Sequence, residues 1–183
     1  MPNGSDIVYR VDDSDRIIFV NDEWDIFAAA NEGDAILSSR VLGCPLWDFI
    51  EDATTRHIYR LLMSRTRSGH PLQFPFRCDS QFLRRLLEMN LTRLPEGTVE
   101  FCTRTIQTEA HDTAGLLHSG AHDPEEMLRM CSWCKRVFAD DYWWEIEEAV
   151  GCLPILRDRL PPSITHGMCD RCYAKMSESL LEN

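Results

Sequence analysis

The chain has 183 residues, 44% of them hydrophobic and 27% charged, with a formal net charge of −11 from 19 basic and 30 acidic residues. This is ordinary globular usage, which excludes wholesale disorder, collagen and a pure coiled coil. The acidic balance argues against a general phosphate-binding surface, and so against nucleic acid, and against anionic membranes. The length allows one domain with a small satellite, or two small domains.

No apolar run approaches the roughly 18 residues of a membrane span, and the start, Met-Pro-Asn-Gly-Ser-Asp, lacks the basic and apolar regions of a signal peptide. The expected compartment is the cytosol, where thiols stay reduced, so the eight cysteines ask for an explanation other than disulfides. Charge is uneven. Residues 1–52 carry −9, residues 53–108 carry +5 and residues 109–183 carry −7. We read these blocks as solvated surface, with mutual attraction or guided dimerisation as alternatives.

Along the chain, Ile7, Tyr9 and Val11 alternate with polar neighbours as in a strand. Asp12-Asp-Ser-Asp15 is a turn, and residues 17–20 form a second strand of a hairpin. Asn21 or Asp22 caps a short helix over residues 23–31, with Trp24, Phe27 and Ala28 apolar. After a short element at residues 46–50, Thr54 or Thr55 caps a longer helix that Gly69 ends. Three strands follow: one from Leu72 to Cys78, one around Leu87, Met89 and Leu91, and one opened by Val99 and Phe101. Pro75 marks the first of these as an edge or a bulge. Residues 109–124 have no apolar period and read as a linker.

Two strands, small helices, a longer helix and three antiparallel strands resemble the layout of a PAS domain. Two segments carry the likeness, Asp15-Arg-Ile-Ile-Phe-Val-Asn-Asp-Glu-Trp24 and Val41-Leu-Gly-Cys-Pro-Leu-Trp-Asp-Phe-Ile50. The resemblance covers about residues 5–108, within an expected domain of residues 1–108, and implies an α+β fold: a five-stranded antiparallel sheet with helices on one face. It also implies a sensor that binds small ligands or partners and dimerises. The pocket would lie between the sheet and the longer helix, with Phe19, His57, Ile58, Leu61, Leu62, Phe74, Phe76, Met89 and Phe101 as lining candidates. All are equally suited to a plain core. The resemblance places His57 on the helix that carries the iron ligand in haem-binding PAS proteins, although a lone helix histidine is more often a surface residue. Cys44 lies in Gly-Cys-Pro-Leu, unlike the reactive cysteine of flavin photosensors of this class.

The sharpest motif is C-terminal. Cys131-Ser-Trp-Cys134 and Cys169-Asp-Arg-Cys172 are both Cys-x-x-Cys, with residues 135–168 between them. Four thiolates presented by two turns suit a tetrahedral zinc ion. Lys135, Arg136, Arg171 and Lys175 flank the sulfurs and can balance the excess negative charge, or are plain surface charges. Residues 140–150 read as a helix ended by Gly151, residues 154–162 return the chain, and a last helix starts at Cys169. A knuckle first and a helix-borne pair last resemble a treble-clef finger. The pattern Cys-Ser-Trp-Cys-Lys, a Trp-containing helix and Thr165-His-Gly-Met-Cys-Asp-Arg-Cys172 resembles a tail module of bacterial PAS and other signalling proteins. We therefore expect residues 125–183 to form a zinc module, with His166 structural or beside a ligand. Loss of Cys131 or Cys172 should unfold that module and spare the first hundred residues.

No phosphate-cradling glycine loop, Gly-x-Ser-x-Gly elbow or kinase motif is present in the sequence. The expectation is a non-enzymatic cytosolic signalling protein whose sensor half binds a small molecule, a protein partner or a second copy. The alternatives are a redox or gas sensor using haem or metal-thiolate oxidation, an iron–sulfur protein, and a Cys-x-x-Cys thiol oxidoreductase.

Overall fold

The computed structural model describes residues 6–80, 82–111, 123–153 and 162–181. The first hairpin joins β1 (Ile7–Val11) to β2 (Ile17–Val20). Its turn is held by Asp12, whose carboxylate accepts the backbone N–H of Ser14 at 2.9 Å and of Arg16 at 2.8 Å. Asn21 then ties strand to helix. Its side-chain oxygen accepts from the N–H of Val8 (3.0 Å) and of Trp24 (3.3 Å), capping α1 (Asp22–Ala30). A 3-10 turn and α2 (Ser38–Val41) lead to a second 3-10 turn at Leu46–Phe49. Asp52, rather than Thr54 or Thr55, caps α3 (Ala53–Arg67), because its carboxylate reaches the Thr55 N–H at 2.6 Å.

The strands β3 (Leu72–Arg77), β4 (Leu83–Arg93) and β5 (Val99–Ala110) complete an antiparallel sheet ordered β2-β1-β5-β4-β3. The helix α3 lays Ile58, Leu62 and Met63 against it, and all three are buried. Pro75 sits on the edge strand. Arg77 gives its outward N–H to the Trp133 carbonyl at 2.8 Å, so Pro75, two residues back, lies where a missing N–H leaves nothing unpaired. The opposite face of the sheet is polar, with Arg10–Glu100 and Arg104–Glu88 pairs crossing strands. Phe19 belongs to this outer face, opposite Arg10 in the register and under its guanidinium at 4.4 Å. It is not on the wall of the cavity between the sheet and α3.

A second sheet is ordered β8-β7-β6-β9, from β6 (Asp123–Cys131), β7 (Val137–Ala139), β8 (Tyr142–Trp144) and β9 (Pro162–Gly167). The strands β6 and β9 run parallel, and the other pairs antiparallel. Residues 140–150 are therefore not one helix. Asp140 and Asp141 take φ of 50° and 59° and turn a two-residue hairpin, and α4 (Ile146–Cys152) starts after it and runs through Gly151. Positive φ at both positions matches a turn that follows strand twist, and Tyr142-Trp-Trp144 is a strand-forming run. The last helix, α5, spans Asp170–Leu181. Of the expected linker, residues 112–122 lie outside the described residues, β5 runs to Ala110 and Asp123 opens β6. Residues 154–161 of the expected return segment also lie outside them.

The two sheets share a core. Cys131, Trp133, Cys169 and Met176 belong to the same buried cluster as Tyr9, Ile58, Phe74 and Phe101. A polar lock flanks it. Arg77 pairs with Asp79 and with Glu145 (2.8 Å), Glu145 also binds Arg136 (2.9 Å), and Glu147 binds Arg84 and His111. Burial disfavours the Glu145 carboxylate, but hydrogen bonds from Arg136 and Arg77 outweigh it and lower its pKa. No helix among the described residues is long and apolar enough to cross a membrane.

Candidate metal centre and the cavity beside it

Each cysteine pair is positioned by local backbone chemistry. At the end of β6, the Cys131 N–H donates to the Arg136 carbonyl (2.8 Å) and the Lys135 N–H returns to the Cys131 carbonyl (3.0 Å). Lys135 takes the left-handed φ of 61° that closes this knuckle. The Ser132 N–H reaches the Gly167 carbonyl at 2.7 Å, which pins the knuckle to the end of β9. Cys169 directly precedes α5, and Cys172 lies in its first turn. The four sulfurs all lie within 4.8 Å of one another, so the group could hold a metal ion. Cys134 and Cys169 sulfurs are 3.7 Å apart, and all eight cysteines are free.

Backbone donors already point at this cluster. The Cys169 N–H donates to the Cys131 sulfur and the Cys172 N–H to the Cys169 sulfur, each at 3.4 Å. Hydrogen bonds from Cys134, Cys169 and Cys172 hold the Cys131 thiol far below its ordinary pKa, while bonding to Cys131 pushes Cys172 far above it. A cation among the sulfurs removes that competition, because it favours the charged form of all four at once. The site is lopsided. Cys131 and Cys169 are buried, whereas Cys134 and Cys172 border a cleft of about 510 Å³ with Arg136, Arg171 and Lys175. His166 is exposed and is not part of the sulfur cluster.

The N-terminal half holds a separate cavity of about 280 Å³ between the sheet, α1 and α3. Of the candidates named from the sequence, Phe76 and Met89 lie on its wall. The other candidates do not. Ile58 and Leu62 face the sheet in the packed core, Phe74 packs on Trp133, and Phe101 stacks on Tyr9 at 4.4 Å. Leu61 is 40% exposed, and His57 is exposed on α3, with its ring outside the cavity wall. The wall that sequence reasoning missed includes Trp24 and Phe27 of α1, Tyr59 of α3, Leu87 and Thr103. The apolar spacing of Trp24 and Phe27 was the available signal. Nothing local separates Tyr59 from Ile58.

A file of rings connects the cavity and the cysteine cluster. Trp24 meets Tyr9 at 5.4 Å, Phe101 lies between Tyr9 and Tyr59 (6.2 Å), and Tyr59 meets Trp133 at 5.8 Å. Trp133 is the second residue between Cys131 and Cys134, and it also touches Phe74 at 5.4 Å. What fold and site together define is an α+β protein with a four-cysteine cluster and an apolar cavity in one connected core. No family model matches the chain, and no curated protein matches it.

Proposed function

We propose that the chain is a non-enzymatic cytosolic signalling protein: a PAS-like sensor half that holds a small ligand, joined to a structural zinc module of treble-clef-like form. The observation that carries this reading is the shared core. The cavity wall and the metal knuckle meet through Tyr59 and Trp133, so occupancy of one site changes the packing seen by the other. The output is a surface offered to a protein partner or to a second copy of the chain.

Zinc is the metal this cluster fits best. Tetrahedral bonds of about 2.3 Å set sulfurs about 3.8 Å apart, close to the 3.7 Å between Cys134 and Cys169. An iron–sulfur core would hold its ligands further apart. The gathering of both Cys-x-x-Cys pairs at one point argues against a working dithiol, which needs a free pair. Haem is disfavoured by the exposure of His57 and by the size of the cavity. A second reading rests on the half-buried Cys134 and Cys172: oxidants that reach them would release the metal, making the module redox-responsive.

Elemental analysis with native mass spectrometry tests the proposal. The expected result is colourless protein with one zinc per chain. A Soret band or broad visible absorption would overturn it in favour of haem or an iron–sulfur centre.

A further inference from the structure

The cavity is apolar almost throughout. None of its lining residues is charged, and rings from Trp24, Phe27 and Phe76 supply flat walls. The indole N–H of Trp24 is already used, donating to the Ile36 carbonyl at 2.6 Å. Three hydroxyls on the wall are different. Tyr9, Tyr59 and Thr103 all line the cavity, and none of their hydroxyls has a hydrogen-bond partner among the described residues. None of the three is sealed off as a fully buried unpaired group, so each is open to a water or a ligand group inside the cavity, the usual partners of polar atoms on such a wall. Burial raises the pKa of both tyrosines, Tyr59 to about 12, with Tyr9 raised further by the nearby Tyr59. Both are therefore neutral hydrogen-bond donors at physiological pH.

We infer that the cavity takes a flat, neutral, apolar molecule carrying one hydrogen-bond acceptor such as a carbonyl, which receives the hydroxyls of Tyr9 and Tyr59. This rests on the small-ligand reading above and gives that ligand a chemical class. Neutrality follows from the uncharged wall, because an ion would be buried without a counter-charge. Flatness follows from the aromatic walls, which favour stacked or edge-on rings. The acceptor follows from the unused donors. A cavity of about 280 Å³ suits a molecule of one or two rings and lies at the lower end of ligand pockets.

Three naphthalenes of nearly equal shape separate these claims on the zinc-loaded full chain: 2-acetylnaphthalene with a carbonyl, 2-ethylnaphthalene without one, and the anion 2-naphthoate. Titration followed by naphthalene fluorescence should show saturable binding of the acetyl compound. The ethyl compound should bind at least about fivefold more weakly, the size of one net hydrogen bond, and the naphthoate more weakly still. Tyr9→Phe combined with Tyr59→Phe should leave ethyl binding unchanged and reduce acetyl binding to match it. Retained ethyl binding shows that the variant still folds around the cavity. Equal binding of acetyl and ethyl compounds, a preference that survives in the double variant, or tighter binding of naphthoate would overturn the ligand class. If none of the three binds, the small-ligand reading itself fails.

Discussion

Arg77 is the residue on which the junction of the two halves turns. Its side chain is 13% exposed, and that of its partner Asp79 is fully buried. From the sequence, Phe76-Arg-Cys-Asp79 is open to two readings, a surface pair of Arg77 with Asp79 or an anchor for an anionic ligand or partner. The structure instead places it under α4, where Arg77 also holds Glu145 and its backbone N–H meets Trp133. Breaking an exposed pair costs about 1 kcal/mol or less, but leaving a buried carboxylate unpaired costs about 3–5 kcal/mol. Arg77→Ala should therefore lower stability in urea melts by the larger amount, and Arg77→Leu with Asp79→Leu should recover most of it. A single-variant loss below about 1 kcal/mol would mean that the pair behaves as exposed.

At the scale of elements, the longer patterns in the sequence were readable and the short ones were not. The fifteen residues of α3 repeat their apolar face over several turns, and β3 alternates over six residues, so both emerged from periodicity alone. The cysteine pairs were legible because each is built by its own turn. In contrast, β7 and β8 have three residues each, too few for a period, and Asp140-Asp141 mimics the acidic start of a helix. Choosing which face of α3 meets a cavity depends on how α3 packs against β4, β5 and α5, which no local pattern encodes. The hairpin assignment has a direct consequence. Both aspartates adopt left-handed φ, which Asn-Gly tolerates best. Asp140→Asn with Asp141→Gly should raise the melting temperature, by about 0.5–1 kcal/mol of stability. In a helix, the same glycine would cost about 1 kcal/mol, so the sign of the change decides between the two.

For the molecule as a whole, the sequence made the four-cysteine module look like a satellite whose loss would spare the first hundred residues. The shared core changes that expectation. Trp133 is only 7% exposed, wedged between Tyr59 of α3 and Phe74 of β3, and it is held there by a knuckle that the four thiolates close. If the cluster holds the proposed metal, its removal frees the knuckle, and a core tryptophan that loses its seat costs about 3–5 kcal/mol when truncated to alanine. The strands β1 and β2 lie at the other end of the sheet order from β3. Under the proposed zinc site, chelation of the native protein followed by hydrogen exchange should therefore deprotect β6, β9 and α5 first, then β3 and the middle of α3. The β1–β2 hairpin should change least. Trp133→Ala in the zinc-loaded protein should reproduce the loss in β3 and α3 while leaving one zinc per chain. If chelation deprotects only residues 123–181, the two halves fold independently, and the ring file between Tyr59 and Trp133 transmits nothing.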